Sequence, residues 1–124
     1  MNIKTLLLIG LLVTAFACHT DDDMLSDLEG TYVGIFEREG ITSQVELDFD
    51  NGTYIGESDT DRFPAICHGT YNIANNSLHF ENLCYWTADF DWTLILYNNW
   101  TFTLEDNVLI LTNSIGDTYT LTKQ

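Results

Sequence analysis

Val45-Glu46-Leu47-Asp48-Phe49-Asp50, then Asn51-Gly52, then Thr53-Tyr54-Ile55-Gly56-Glu57-Ser58, is the stretch from which the fold is read. Apolar and acidic side chains alternate with a period of two, so one face of this strand is dry and the other wet. Asn-Gly is the strongest short hairpin signal, because both residues accept the positive φ that a two-residue turn requires. Thr53 to Ser58 is therefore the returning strand.

The same grammar extends in both directions. Gly30 to Phe36 opens the series. Gly69 to Ile73, a turn at Asn75-Asn76 and Ser77 to Glu81 follow. Then come Trp92 to Tyr97, Asn98-Asn99, Trp100 to Glu105, Asp106-Asn107, Val108 to Thr112, Gly116-Asp117 and Thr118 to Lys123. No segment holds a helical period of useful length. The single proline, Pro64, falls in the longest loop, where it removes no ladder hydrogen bond. Gly-Thr-Tyr starts a strand at Gly30, Gly52 and Gly69, at unequal spacings that exclude a solenoid repeat. The pattern predicts an all-β domain, an antiparallel up-and-down meander of about eight strands that closes into a small barrel and so hides its edges.

Three segments make up the chain. Residues 1–17 read as a signal peptide, with Lys4 as the positive charge, Leu6 to Val13 as the apolar core and Ala15-Phe16-Ala17 before the cut. That run is too short for a bilayer, which needs about 20 apolar residues. Residues 18–27 form an acidic tether, and 28–124 the barrel domain.

Ala15-Phe16-Ala17-Cys18 resembles the bacterial lipobox, which implies lipidation of Cys18 with diacylglycerol and an amide-linked chain such as palmitate. Two or three acyl chains, at about 0.8 kcal/mol per buried methylene, make such an anchor effectively permanent. Asp21-Asp22-Asp23 resembles the acidic export signal that some Gram-negative bacteria place behind the lipidated cysteine. The implied address is the outer membrane, at the cell surface, with the periplasmic face as the alternative. With Cys18 assigned to lipid and the compartment oxidising, Cys67 and Cys84 are expected to form a disulfide worth about 3 kcal/mol, two buried thiols being the alternative. Zinc is not expected, since only His68 and His79 lie nearby and no Cys-x-x-Cys is present.

After the signal, three bases face all nineteen acids, a formal charge of −16. Phosphate affinity is built from clustered Lys and Arg, so nucleic acid is not a partner this composition suits. A basic protein partner is.

Gly30-Thr31-Tyr32 followed by an antiparallel meander, together with the stretch Glu81 to Leu94, resembles small lipocalin-like β-barrels of bacterial lipoproteins. Cys67-His68-Gly69-Thr70-Tyr71 and Cys84 also resemble META-type domains, although His68 stands where that family places an asparagine.

The first resemblance implies a small apolar or amphipathic ligand in the barrel mouth, lined by some of Tyr32, Phe36, Tyr71, Trp92, Trp100 and Phe102. Trp86, Phe90 and Trp92 around Asp89 and Asp91 form a second candidate, a pocket for a sugar or cation, or else the cap of one barrel end. Asp89 and Asp91 are poorly spaced for glycoside chemistry. No Gly-x-Ser-x-Gly elbow, phosphate loop or calcium loop is present, so neither enzyme activity nor a cofactor is expected. The alternative to a ligand carrier is a protein-interaction module with a filled barrel, an inhibitor or accessory subunit. Lipoprotein barrels of the lysozyme-inhibitor kind share that architecture.

Overall fold

A computed structural model describes residues 26–124; the expected signal peptide, Cys18 and all but the end of the tether lie outside the described residues. Eight antiparallel strands follow one another: β1 (Gly30–Arg38), β2 (Ile41–Asp50), β3 (Thr53–Ser58), β4 (His68–Ala74), β5 (Ser77–Asn82), β6 (Asn98–Glu105), β7 (Val108–Thr112) and β8 (Thr118–Lys123). Each pairs with its neighbours in sequence, and β8 returns to β1, closing the barrel.

Turn chemistry sets the registers. Asn51 and Gly52 have φ of 47° and 85°, and Asp106 and Asn107 have 52° and 67°, the positive pairs of tight hairpin turns. Along β2, Ser43, Val45, Leu47 and Phe49 are buried, and Gln44, Glu46, Asp48 and Asp50 are exposed. One inward position, Gly34, must be glycine because a Cβ there would collide with the Thr120 carbonyl of the adjacent strand β8.

The expected strand Trp92 to Tyr97 does not form. Trp92–Leu94 is a single 3-10 turn, and Asn98-Asn99, read as a turn, instead begin β6. Asp91 caps the turn, its Oδ1 accepting from the Thr93 amide at 3.1 Å and from the Thr93 hydroxyl at 2.6 Å. Ile95 and Leu96 are buried side by side, which an alternating strand does not allow. Leu94 and Leu96 bracket Ala65: its amide donates to the Leu94 carbonyl and its carbonyl accepts from the Leu96 amide. A short apolar run looks alike in a strand and in such a plug.

An even number of antiparallel strands separates two kinds of connection. Turns 51–52, 75–76 and 106–107 lie at one end, where the chain also enters and leaves the barrel. The long connections 59–67, 83–97 and 113–117 lie at the other, with the tight turn 39–40 beside them. Cys67 and Cys84 are joined by a disulfide, Cα atoms 6.3 Å apart, which ties two of those connections together as the sequence predicts.

Candidate functional site

The barrel interior is occupied by the protein itself. Tyr32, Phe36, Tyr71, Trp100 and Phe102, all expected to line a ligand mouth, are buried in one core cluster with Leu47, Phe49, Tyr54, Phe80, Leu109, Leu111, Tyr119 and Leu121. Phe49 packs edge-on against Tyr32 at 5.5 Å and Tyr71 at 5.1 Å between ring centres, and Tyr119 contacts Phe36 at 5.0 Å and Trp100 at 5.1 Å. Such aromatic pairs contribute about 1 kcal/mol each beyond their buried area. Two polar tips are tied inside, the Tyr32 hydroxyl donating to the Leu28 carbonyl at 2.9 Å and that of Tyr54 to the Leu96 carbonyl at 3.0 Å, whereas the buried Tyr71 and Tyr119 hydroxyls have no partner among the described residues. Burial pushes the Tyr32 and Tyr54 phenols up to about 12, so they stay neutral.

The other two expected ligand residues lie on the closing connection. Trp86 stacks on Phe90 at 5.2 Å, and Trp92 stands edge-on to Tyr97 at 6.2 Å. They cap the loop end of the barrel and do not converge with the interior five. Asp89 and Asp91 are exposed, and hydrogen bonds from Thr87 and Thr93 respectively hold their pKa values below the ordinary carboxylate value. That direction is the opposite of what a proton donor needs.

A residue that sequence reading missed holds this end together. Arg38, at the end of β1, donates from Nε to Asp117 Oδ1 at 2.8 Å and from Nη2 to Oδ2 at 2.5 Å. It also reaches the Thr93 hydroxyl and carbonyl, both at 3.1 Å, and Asp91 at 3.6 Å. Asp117 is buried, so this bidentate pair ties β1, the 83–97 connection and the β7–β8 connection into one clasp. The hydrogen bond to Asp117 raises the Arg38 pKa further.

Five grooves have volumes from about 310 to 680 Å³; Tyr32, Phe36, Tyr71, Trp100 and Phe102 line none of these, while Phe49 and Tyr54 of the core cluster line the one of about 680 Å³. Trp86 lines the one of about 310 Å³, beside Glu57, Asp61 and Arg62. Three others merge into one acidic surface over β2 and β3. Glu46, Glu57 and Asp59 line about 400 Å³; Glu46, Asp48, Ile55 and Glu57 line about 320 Å³; Glu29, Asp48, Asp50, Ile55, His68 and Leu83 line about 680 Å³.

Glu46 and Glu57 are direct cross-strand partners, and like charges so placed destabilise a sheet. No Lys or Arg lines these three grooves. The bases of the described residues are engaged elsewhere: Arg38 on Asp117, Arg62 beside Asp61 at 3.8 Å and Lys123 on the Asp27 carbonyl at 3.0 Å. Exposed Ile55 and Leu83 add an apolar floor. The alternation of β2 was the available signal for this wall, but the pairing of Glu46 with Glu57 needs the register. No family model, curated protein or solved structure matches the chain.

Proposed function

We propose that this protein is a lipid-anchored recognition module whose acidic β2–β3 wall binds a basic protein partner. One observation carries the reading: the interior is packed with its own aromatics, while the outer wall places Glu46 against Glu57, and Arg62, which shares a neighbouring groove with Glu57, pairs with Asp61 instead. An uncompensated pair costs stability in the free protein and is relieved by a cation from outside. The anchor is lipid on Cys18, at the outer membrane and facing the cell exterior, in keeping with a lipocalin-like lipoprotein barrel. Metabolic labelling with palmitate then marks the wild type and not Cys18→Ser.

The partner is sought with the full chain in bacterial membranes, challenged with lysine- and arginine-rich proteins at low and at physiological salt. Capture is expected to weaken on the order of tenfold in a Glu46→Gln, Asp48→Asn, Glu57→Gln variant, and to fall with ionic strength. Binding that ignores both salt and these substitutions would sink the reading. The small-ligand alternative retains one supporting observation, Trp86 in its groove. A ligand that stays bound in native mass spectrometry and is lost in Trp86→Ala would favour it.

A further inference from the structure

The disulfide at the loop end has a third metal-binding side chain beside it. Cys67 Sγ, Cys84 Sγ and a ring nitrogen of His68 all lie within 4.8 Å of one another. Cys67 ends the 59–67 connection, His68 opens β4 and Cys84 lies in the 83–97 connection, so no Cys-x-x-Cys spacing announces the group. His79 stands apart from it, its Nδ1 lying 2.8 Å from Asn99 Oδ1.

Hydrogen bonds hold these residues in place independently of the disulfide. The Cys67 carbonyl accepts from the Gly56 amide at 2.9 Å, and the His68 carbonyl from the Leu83 amide at 3.0 Å. On the other connection the Asn82 side chain engages both polar groups of the Cys84 backbone. Its Nδ2 donates to the carbonyl at 2.9 Å, and its Oδ1 accepts from the amide at 3.3 Å. Breaking the sulfur–sulfur bond removes none of these contacts.

The dimensions suit zinc. Its tetrahedral sites take thiolate at about 2.3 Å and imidazole nitrogen at about 2.0–2.1 Å, which sets neighbouring ligand atoms about 3.5–3.8 Å apart. The Cα atoms of Cys67 and Cys84 are 6.3 Å apart, toward the wide end of the about 4.4–6.8 Å that disulfides span, so side-chain rotation can part the sulfurs that far. Both cysteines are half-buried and His68 is exposed, so an ion reaches the group from solvent. His68 also lines the groove of about 680 Å³ with Glu29, Asp48 and Asp50 and no Lys or Arg, and the negative field of such a groove concentrates dications.

We propose that the reduced chain binds one zinc ion through Cys67, Cys84 and His68, with water in the fourth position, so that metal and disulfide are alternative staples for the same two connections. The exchange between them balances. A small-molecule disulfide takes two electrons from the two zinc-bound thiolates; the bond between Cys67 and Cys84 forms and the small molecule's own sulfur–sulfur bond breaks. Two protons from solvent convert its halves to thiols as the zinc ion leaves. Oxidation releases the metal, and reduction recreates its site.

The test uses the full chain in detergent, reduced with a water-soluble phosphine that is then removed without air. Titrated with zinc against a chromophoric chelator, it should bind one ion per chain, where the oxidised chain binds none at the same concentrations. Cobalt(II) in place of zinc should give the near-ultraviolet band of thiolate ligation. His68→Gln, a change at an exposed position that leaves both thiols, should weaken zinc binding at least about tenfold, since even outer partners of a metal site act on that scale. Cys18→Ser should leave the affinity unchanged, so the site stands whether or not the anchor does. A small-molecule disulfide added to the zinc-loaded chain should release the ion as the bond between Cys67 and Cys84 re-forms. Equal binding by the oxidised chain overturns the proposal, since it places the ion on the acids of the groove. So does a reduced chain that binds no zinc, a cobalt spectrum without the thiolate band, an affinity unchanged in His68→Gln or lost in Cys18→Ser, or zinc that stays after the disulfide has re-formed.

Discussion

The β2–β3 wall and the β8–β1 wall are built on the same backbone geometry and present opposite surfaces. Both alternate strictly, both turn large apolar side chains inward, and each inward set belongs to the same core. They differ only in the outward letter: Glu46, Asp48 and Asp50 on β2, Thr118, Thr120 and Thr122 on β8. Inward positions answer to packing, where a change of one methylene is felt. Outward positions are free of that demand, and here they differ in charge. One wall carries a run of acids; the other carries a column of threonines flanked by valine and isoleucine.

The comparison breaks most completely when the alternation itself is broken. Deleting Asp48 puts Phe49 on the wet face and Asp50 in the core, since a one-residue slip exchanges the two faces of a strand. Loss of cooperative unfolding in circular dichroism is the expected outcome, because the cost exceeds the about 5–15 kcal/mol that holds a domain of this size. A chain that still unfolds cooperatively would mean that the alternation of β2 does not set the register.

Arg38→Ala sharpens the comparison by loosening the clasp without touching the outward face of either wall. It leaves Asp117 buried with no opposing charge, and a loss of about 3 kcal/mol is expected in urea denaturation. Capture by the acidic wall should survive in the fraction that remains folded. If stability is unchanged, Asp117 has found another donor, with Asn113 Nδ2, at 3.3 Å, the nearest candidate.

The smallest effect is the most specific. Glu57→Gln removes a like-charge pair and should stabilise the domain by a few tenths of a kcal/mol, at most about 1, with the gain shrinking as salt is added. Thr120→Gln, at the centre of the other wall, should show no such salt-dependent gain. A matched pair of thermal melts at low and high salt distinguishes the two.

Most of the scaffold was legible in the sequence, for local reasons. Alternation in β2, the Asn51-Gly52 and Asp106-Asn107 turns and the Cys67 to Cys84 pairing each depend on residues close in the chain or on counting. Trp92 to Tyr97 was misread because a run of apolar residues carries no phase, and the decisive feature was the Asp91 side chain competing for the backbone. Tyr32, Phe36, Tyr71, Trp100 and Phe102, expected to line a ligand mouth, lie in the core. That they pack with Phe49, Tyr54, Phe80 and Tyr119 into one cluster depends on how strands distant in sequence interdigitate. Arg38 and Asp117 are 79 residues apart, and only barrel closure brings them together. The threonine column on β8 was visible, but the isoleucines on either side of it belong to β1 and β7 and align only through register.

Both ends of the described chain leave the barrel on the turn side, where the Gln124 amide donates to the Thr31 carbonyl at 2.8 Å and β8 lies hydrogen-bonded along β1. With its last strand beside its first, the fold is in effect a ring that has been cut once. It can be closed by a short peptide and cut elsewhere. New termini at Asn75-Asn76 would carry the attachment point half-way round the circumference while leaving the clasp and the disulfide intact. Such a permuted protein would turn a different wall toward whatever surface it is tethered to, and would show whether the orientation of the two walls matters to the cell.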